Sequence, residues 1–345
     1  MVNSPLSLLG AHTDSMEQKY SPQRGSALFA NLTNAADEAL FHQIHRPPIE
    51  HPADLLYQEL EDVAKLYVEA ADSAATSDPD SFESPALAAT DLLIRTVNEF
   101  YEQLHVIIKC FSAPDENSEK KTLHDFLRSR NPRAHQSFMS STKAHHEPVR
   151  LAANALKHRA ARLAPIGLTN HNSVLVAGFY VRTTTGPEDQ RGPDPEVHKR
   201  YRGTVHTAFS FNHFLLRVAG MIFLCLDRLD QALFNERSTA RTPLPPLERV
   251  LRRASKIQAE FFPDEYDRPT ARISSTETCI LVRYPQLPRI RNGEFPDRMA
   301  RATLQIRSTG RAKASMHSVL PYLQLMHTDK VLEGLLPEPR RRPRP

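Results

Sequence analysis

The chain has 345 residues, of which 40% are hydrophobic and 24% are charged, a composition typical of a soluble folded protein with a sizeable core. It has only 11 glycines and no tryptophan, which argues against a β-rich enzyme or one built on glycine loops. The net charge is +4, and the last six residues contain four arginines, so the rest of the chain is close to neutral. These arginines are Arg340, Arg341, Arg342 and Arg344.

No segment predicts a signal peptide or a membrane span. The strongest apolar run, residues 214–226, contains Arg217 and is shorter than the roughly 20 residues that a bilayer requires. The cysteines are far apart, which predicts buried free thiols in a reducing compartment. We therefore expect a cytoplasmic protein that makes no contact with membranes. The three cysteines are Cys110, Cys225 and Cys279.

Helical periodicity begins in the first quarter of the chain. Residues 1–50 are predicted to be largely disordered, with one candidate helix within 26–45. Apolar residues three and four positions apart predict helices over 53–75 and 86–111, and Ser84-Pro85 suits the N-cap and first turn of the second. A further helix is predicted over 119–129.

The middle of the chain predicts two more helices. Asn131-Pro132 has the pattern of an N-cap followed by a first helical residue, and it starts a short helix toward Lys143. A central helix is predicted over residues 147–163, with Pro148 in its first turn. Pro165 and Gly167 are expected to end it.

The pattern then changes to strands. β-Branched and aromatic residues predict a strand over 173–182 and a second over 204–209, separated by the long polar loop 184–203. Residues 211–235 predict the most buried helix of the chain. After the proline-rich boundary at residues 242–246, we predict the following elements: a helix over 247–261, strands over 271–275, 278–284 and 301–307, and a helix over 315–335.

Together these elements predict a mainly α protein: a helical bundle with a β-hairpin insertion, followed by a small α+β C-terminal unit. The predicted organisation has four parts. They are a largely disordered segment over 1–50, the bundle with its hairpin over 51–240, the α+β unit over 241–336, and a disordered basic tail over 337–345.

The chain lacks the local motifs of several enzyme classes. No phosphate-binding loop, dinucleotide fingerprint or nucleophile elbow is present, so no nucleotide or other cofactor is expected. The 16 histidines do not form a recognised ligand spacing. His42 and His45 have no third ligand nearby in the sequence, and His145-His146-Glu147 are consecutive and cannot converge from one helix. The sequence therefore predicts no metal site.

An Asn-x-x-x-His pattern occurs twice. Asn131 and His135 form the first copy, and Arg130 precedes it. Asn154 and His158 form the second copy. In the second copy Ala153 stands in the place of the arginine, and Arg150 or Arg159 is the nearest substitute.

A helical core with such a motif resembles the HEPN superfamily of bacterial defence and toxin proteins. The resemblance covers at most residues 53–235. It implies a homodimer that contacts RNA and cleaves it without a metal, the ribose 2′-OH attacking the adjacent phosphate. It further implies that His158 or His135 transfers protons, and that Arg130 or Arg159 stabilises the phosphorane charge.

Three functions stay open at this point. The first is a HEPN-like binding or scaffold module that contacts RNA, and the second is an active metal-independent ribonuclease. The third is a protein-interaction module with no nucleic-acid role. Asn154 and His158 also have a purely structural interpretation, in which they hydrogen-bond the hairpin that begins at Ser173.

Overall fold

The structure is a computed structural model. It describes the following residues: 18–20, 22–76, 84–116, 121–169, 175–183, 192–200, 206–234, 244–262, 264–265, 270–273, 280–283 and 321–322. Within these residues the chain forms seven α-helices and six short strands. The helices are α1 (Pro22–Thr33), α2 (Pro52–Ala75), α3 (Pro85–Cys110), α4 (Leu123–Arg130), α5 (Pro132–His158), α6 (Phe211–Phe234) and α7 (Pro245–Ala254). The strands are β1 (Gln18–Tyr20), β2 (Arg162–Thr169), β3 (Leu175–Arg182), β4 (Phe209–Ser210), β5 (Thr270–Ile273) and β6 (Ile280–Arg283).

The prediction of a mainly α fold with a β-hairpin is confirmed. α2 packs against α3, α5 packs against α3 and α6, and α6 also contacts α1, so the helices share one continuous apolar core. α6 is buried along most of its length, as its apolar run predicts. None of the helices in the described ranges has the length and apolar character that a bilayer crossing needs.

The predicted helix starts are confirmed at two positions. The Ser84 side chain accepts a hydrogen bond from the Ala86 N–H at 3.2 Å, and Pro85 opens α3. Asn131 accepts from the Ala134 N–H at 3.4 Å and precedes Pro132 at the start of α5. Cys110 and Cys225 are buried and free, as predicted, whereas Cys279 lies outside the described residues.

The prediction of two separate helices over 131–143 and 147–163 is wrong. α5 is one helix of 27 residues, with Pro148 in its interior. An interior proline removes one backbone hydrogen bond and costs about 3 kcal/mol in isolation. Buried side chains on both sides of Pro148, among them Phe138 and Val149, hold the two halves against the core and offset this cost.

The end of this helix was also predicted wrongly. α5 stops at His158, and Ala160 has φ 51, the left-handed conformation that commonly terminates helices. Pro165 and Gly167 lie in the edge strand β2, where proline is tolerated. Alternate residues of β2 are buried, the period of a strand: Ala164, Ile166 and Leu168.

The hairpin is antiparallel, with Arg162 opposite Arg182 and Thr169 opposite Leu175. β4 adds to β3 through the pairs Gly178–Ser210 and Phe179–Phe209. Of the strand predicted over 204–209, only Phe209 is in a strand, and residues 204 and 205 lie outside the described ranges.

The N-terminal segment and the C-terminal elements both belong to the folded body. α1 (Pro22–Thr33) contributes Leu28 and Leu32 to the core, and it overlaps the candidate helix predicted within 26–45 and begins four residues before it. β1 pairs with β6, so residues 18–20 and 280–283 lie side by side in one sheet. α7 packs on α2 and places Leu247 and Val250 in the main core.

The last predicted elements lie largely outside the described residues. The strand over 301–307 and the basic tail over 337–345 fall there entirely. Of the helix predicted over 315–335, residues 321–322 form a turn and Tyr322 has φ 61, so no α-helix runs through this point.

Candidate functional site

Three histidines on three different helices converge at one end of the bundle. His105 is on α3, His124 on α4 and His135 on the first turn of α5. Asn131 is the C-cap of α4 and the N-cap of α5, so a single residue turns the chain between the two helices. This tight turn brings His124 and His135 together against α3.

The imidazoles are close enough to share a ligand. One ring nitrogen from each of the three residues lies within 4.8 Å of the others. His124 Nδ1 and His135 Nε2 are 3.2 Å apart, within hydrogen-bond distance. The ring centroids of His105 and His124 are 4.7 Å apart.

His105 is the unusual member of this cluster. It is 0% exposed, and neither of its ring nitrogens has a hydrogen-bond partner among the described residues. Burial, followed by the neighbouring His124, lowers its pKa to about 3. Burial also lowers the pKa of His135, so at neutral pH both rings are uncharged and keep a lone pair.

Glu102 completes the cluster on its solvent side. It lies three residues before His105 on α3, and its Oε2 is 3.6 Å from His124 Nε2. This contact is longer than a hydrogen bond, but it orients the far nitrogen of His124 toward the carboxylate. The same His124 nitrogen is the largest cause of the lowered pKa of Glu102.

Aromatic and polar contacts hold the inner wall of the cluster. The Tyr101 ring stacks on His146, with centroids 3.7 Å apart, and its hydroxyl is 2.9 Å from Thr142 Oγ1. His146 Nε2 is 3.1 Å from Asn98 Oδ1. The polar atoms of Tyr101, Thr142 and His146 therefore have hydrogen-bond partners. The ring nitrogens of His105, on the same buried side of the cluster, have none among the described residues.

The first Asn-x-x-x-His motif and the arginine before it lie at this site, but Arg130, Asn131 and His135 make different contacts. His135 is 7% exposed and belongs to the cluster. Asn131 caps α5, and Arg130 is exposed and donates from its Nε to the Ala113 carbonyl at 2.9 Å. The structure thus places Arg130 and His135 on neighbouring turns and gives Asn131 a structural contact.

The second motif lies at the opposite end of α5. His158 is 23 residues from His135, which corresponds to about 35 Å along a helix. His158 is exposed and Asn154 half-buried, and neither side chain has a hydrogen bond within the described residues. Arg159 binds the carboxylates of Asp194 and Glu196 at 3.4 and 2.7 Å.

Sequence reasoning missed His105, His124 and Glu102. One signal was available, because His105 is four residues after Tyr101 and three before Ile108 and so lies on the apolar stripe of its helix. A histidine on a core-facing stripe is a buried polar group that needs a partner. Its partners on α4 and α5 could not be located without the packing of three helices.

A second buried polar cluster is centred on Glu265, which is 0% exposed. Its carboxylate accepts from the Ser210 N–H at 2.9 Å, the Ser210 hydroxyl at 2.5 Å and the Phe262 N–H at 2.9 Å. His213 Nδ1 is 3.5 Å away. Burial, with neighbouring Asp264, raises the pKa of Glu265 to about 8.

Comparison with protein-family models, with curated proteins and with solved structures yields no match to this chain. The two polar groups are therefore interpreted from their own geometry.

Proposed function

We propose that the chain is a helical binding module that holds the phosphate backbone of RNA at the turn between α4 and α5. The observation that carries this proposal is a cluster of three exposed arginines within six residues: Arg128, Arg130 and Arg133. The HEPN resemblance leads to RNA as the ligand, and a guanidinium fork suits phosphate oxygens.

The three arginines are largely available to an anion. Arg128 pairs with Asp125 at 3.2 Å, but both side chains are more than half exposed, and such surface pairs contribute little. Arg133 has no carboxylate partner in the described part of the chain, and Arg130 contacts only a backbone carbonyl.

Binding is favoured over cleavage at this turn because His135 is turned inward. Its Nε2 contacts His124, and its ring is almost fully buried, so it does not face a phosphate on the arginine surface. A metal-independent ribonuclease is the second candidate function, and exposed His158 favours it. In that case Arg159 would have to break its ion pairs with Asp194 and Glu196 before it could contact the phosphate.

Salt dependence of RNA affinity tests the binding proposal. The dissociation constant of a labelled single-stranded RNA is measured by fluorescence anisotropy in EDTA at several salt concentrations. For single strands, each phosphate contact contributes about 0.7 to the slope of log K against log salt, so losing three contacts lowers the slope by about 2. The test variant combines Arg128→Gln, Arg130→Gln and Arg133→Gln.

A matched triple on α7 and the turn that follows it controls for net charge. These three cations are exposed and lie on other elements than α4 and α5. The control combines Arg249→Gln, Arg252→Gln and Lys256→Gln. The proposal requires that the control keep the wild-type slope. An equal loss of slope in the test and control variants contradicts the proposal. So does the absence of RNA binding by the wild type, and that result would favour a protein-interaction module instead.

The C-terminal arginines are tested separately. Deletion from Pro337 should leave the melting temperature unchanged and lower the salt-sensitive part of RNA affinity, because the tail contains four arginines. Unchanged RNA binding after the deletion would show that the tail does not contribute to RNA affinity.

Cleavage in EDTA tests the second candidate. The wild type is compared with His158→Ala and His135→Ala, and light scattering gives the mass of each. Cleavage by a dimer that is lost in one variant establishes a metal-free ribonuclease and identifies its motif. Intact RNA in every reaction leaves the binding module.

A further inference from the structure

We propose that His105, His124 and His135 form a binding site for a divalent transition metal ion, with Zn²⁺ as the best fit. The proposal does not depend on RNA binding, since it uses the inner face of the α4–α5 turn. It rests on four observations: the distances among the ring nitrogens, the unsatisfied His105, the position of Glu102, and the chemistry of the donor set.

The distance between His124 and His135 fits tetrahedral coordination. With Zn–N bonds of about 2.0–2.1 Å, two nitrogens of a tetrahedral site lie about 3.3 Å apart. His124 Nδ1 and His135 Nε2 are 3.2 Å apart, and a His105 nitrogen lies within 4.8 Å of both. An ion bound at this position would draw the His105 nitrogen to the same spacing.

His105 supplies the strongest reason to expect a ligand. A neutral imidazole carries one N–H donor and one acceptor, and leaving either of them buried and unpaired is unfavourable. His105 is buried, and both of its nitrogens lack partners in the described structure. Tyr101 and Phe138 close the other sides of the ring, so the group that can satisfy it lies toward His124 and His135.

Glu102 occupies the place of an outer carboxylate. Histidines that bind metals commonly direct their second ring N–H to a carboxylate, which fixes the tautomer. Glu102 Oε2 lies 3.6 Å from His124 Nε2, so an ion bound at His124 Nδ1 would leave the Nε2 N–H directed toward this carboxylate. His124 Nδ1 is the same nitrogen that faces His135.

The donor set indicates the kind of ion. Three imidazole nitrogens suit Zn²⁺ and related transition metals, whereas Ca²⁺ and Mg²⁺ require oxygen ligands. Three protein ligands leave a fourth position for water. The half-exposed His124 lies at the surface and gives the ion a route of entry. Because the ligands come from three helices, a bound ion would fasten the short helix α4 to α3 and α5.

Zinc titration of the full chain tests the site. The protein carries no affinity tag, is stripped of metal by a chelator, and competes with a chromogenic chelator for Zn²⁺. We expect one equivalent to bind with Kd below about 1 μM. Co²⁺ in the same site should give the visible absorption of a tetrahedral complex, which identifies the geometry independently.

Substitutions locate the ion. His105→Phe keeps an aromatic ring in the core and removes both nitrogens, and His135→Gln removes a second ligand. Glu102→Gln, which removes the carboxylate beside His124 but none of the three ligands, should weaken binding about 10- to 100-fold, and each ligand substitution should weaken it further. His42→Gln, at a half-buried histidine on another part of the bundle, is the matched control and should bind as the wild type does.

Three results would overturn the proposal: no zinc binding by the wild type, binding by His105→Phe as tight as the wild type, or loss of binding in His42→Gln. The RNA measurements are made in EDTA and repeated with saturating Zn²⁺, so that a loss of RNA binding caused only by removing the ion is told apart from the absence of an RNA site.

Discussion

Glu265 and His105 are both fully buried, yet the fold satisfies their polar atoms very differently. The Glu265 carboxylate accepts three hydrogen bonds from Ser210 and Phe262. His105 is surrounded by rings and has no hydrogen bond among the described residues. The carboxyl oxygens of Glu265 accept hydrogen bonds from within the chain, whereas the ring nitrogens of His105 have no partner among the described residues.

This contrast separates structural polar groups from candidate binding groups. The Glu265 network fastens the start of α6 to the segment after α7, because both Ser210 and Phe262 donate backbone N–H groups to one carboxylate. His105 has the same burial as Glu265, but both of its ring nitrogens lack partners among the described residues. Burial alone therefore does not identify a site, and the hydrogen-bond inventory does.

The largest effect is expected from Glu265→Ala. The substitution leaves the buried N–H groups of Ser210 and Phe262 without an acceptor and opens a cavity, so the free energy of unfolding should fall by about 3–5 kcal/mol. Urea unfolding of the variant beside the wild type measures this. A loss under about 1 kcal/mol would mean that water replaces the carboxylate and that the network is not structural.

Truncation of a buried apolar side chain in α6 gives a loss of unfolding free energy with which the effect of Glu265→Ala can be compared. Leu215 and Ile222 are 2% and 0% exposed, so Leu215→Ala or Ile222→Ala should cost about 2–5 kcal/mol through lost burial and a residual cavity. The same urea experiment measures both variants. A change under about half a kcal/mol would contradict the placement of α6 at the centre of the core.

Much of the fold could be predicted because its signals are local. α2, α3 and α6 have long apolar stripes, and Ser84-Pro85 and Asn131-Pro132 mark helix starts by their own chemistry. β2 was missed because Pro165 and Gly167 resemble a helix stop, whereas pairing with β3 decides their conformation. The pairing of β1 with β6 joins distant segments and leaves no local pattern.

The candidate site could be predicted only in part. The Asn-x-x-x-His pattern and the arginine before it indicate Arg130 and His135, because these residues lie within one short segment. The pattern could not indicate His105 or His124, since ligand-spacing rules detect donors on one element and these lie on separate helices. The continuous α5 also places the two motifs at its opposite ends, which separate short helices would not require.

The pH dependence of stability is the next test of the contrast. The pKa of Glu265 is raised to about 8, so the folded state keeps a proton that the unfolded state loses near pH 4.5. Stability from this group is therefore complete at low pH and is lost as pH rises toward 8, with a slope of up to about 1.4 kcal/mol per pH unit. Asp264, His213 and Tyr322 face the same carboxyl group and shape this titration.

Unfolding free energies between pH 6.5 and 8 isolate this effect, because histidines with lowered pKa values act mainly below their ordinary pKa of 6.5. Glu265→Gln cannot ionise and should flatten the profile in this window, even if it is less stable throughout. An identical slope in the wild type and the variant would assign the pH dependence to other groups.

The smallest effect is expected where the contrast is sharpest, at His105. In EDTA, His105→Phe should change the free energy of unfolding by no more than about 1 kcal/mol, because it exchanges one ring for another of similar volume and removes two unsatisfied nitrogens. With saturating Zn²⁺ the wild type should gain stability as binding energy is added to the folded state, and the variant should not. Thermal melts of both proteins, with and without zinc, measure the four values in one experiment. A variant destabilised as strongly in EDTA as Glu265→Ala would show that His105 has structural partners, and the distinction between the two buried groups would disappear.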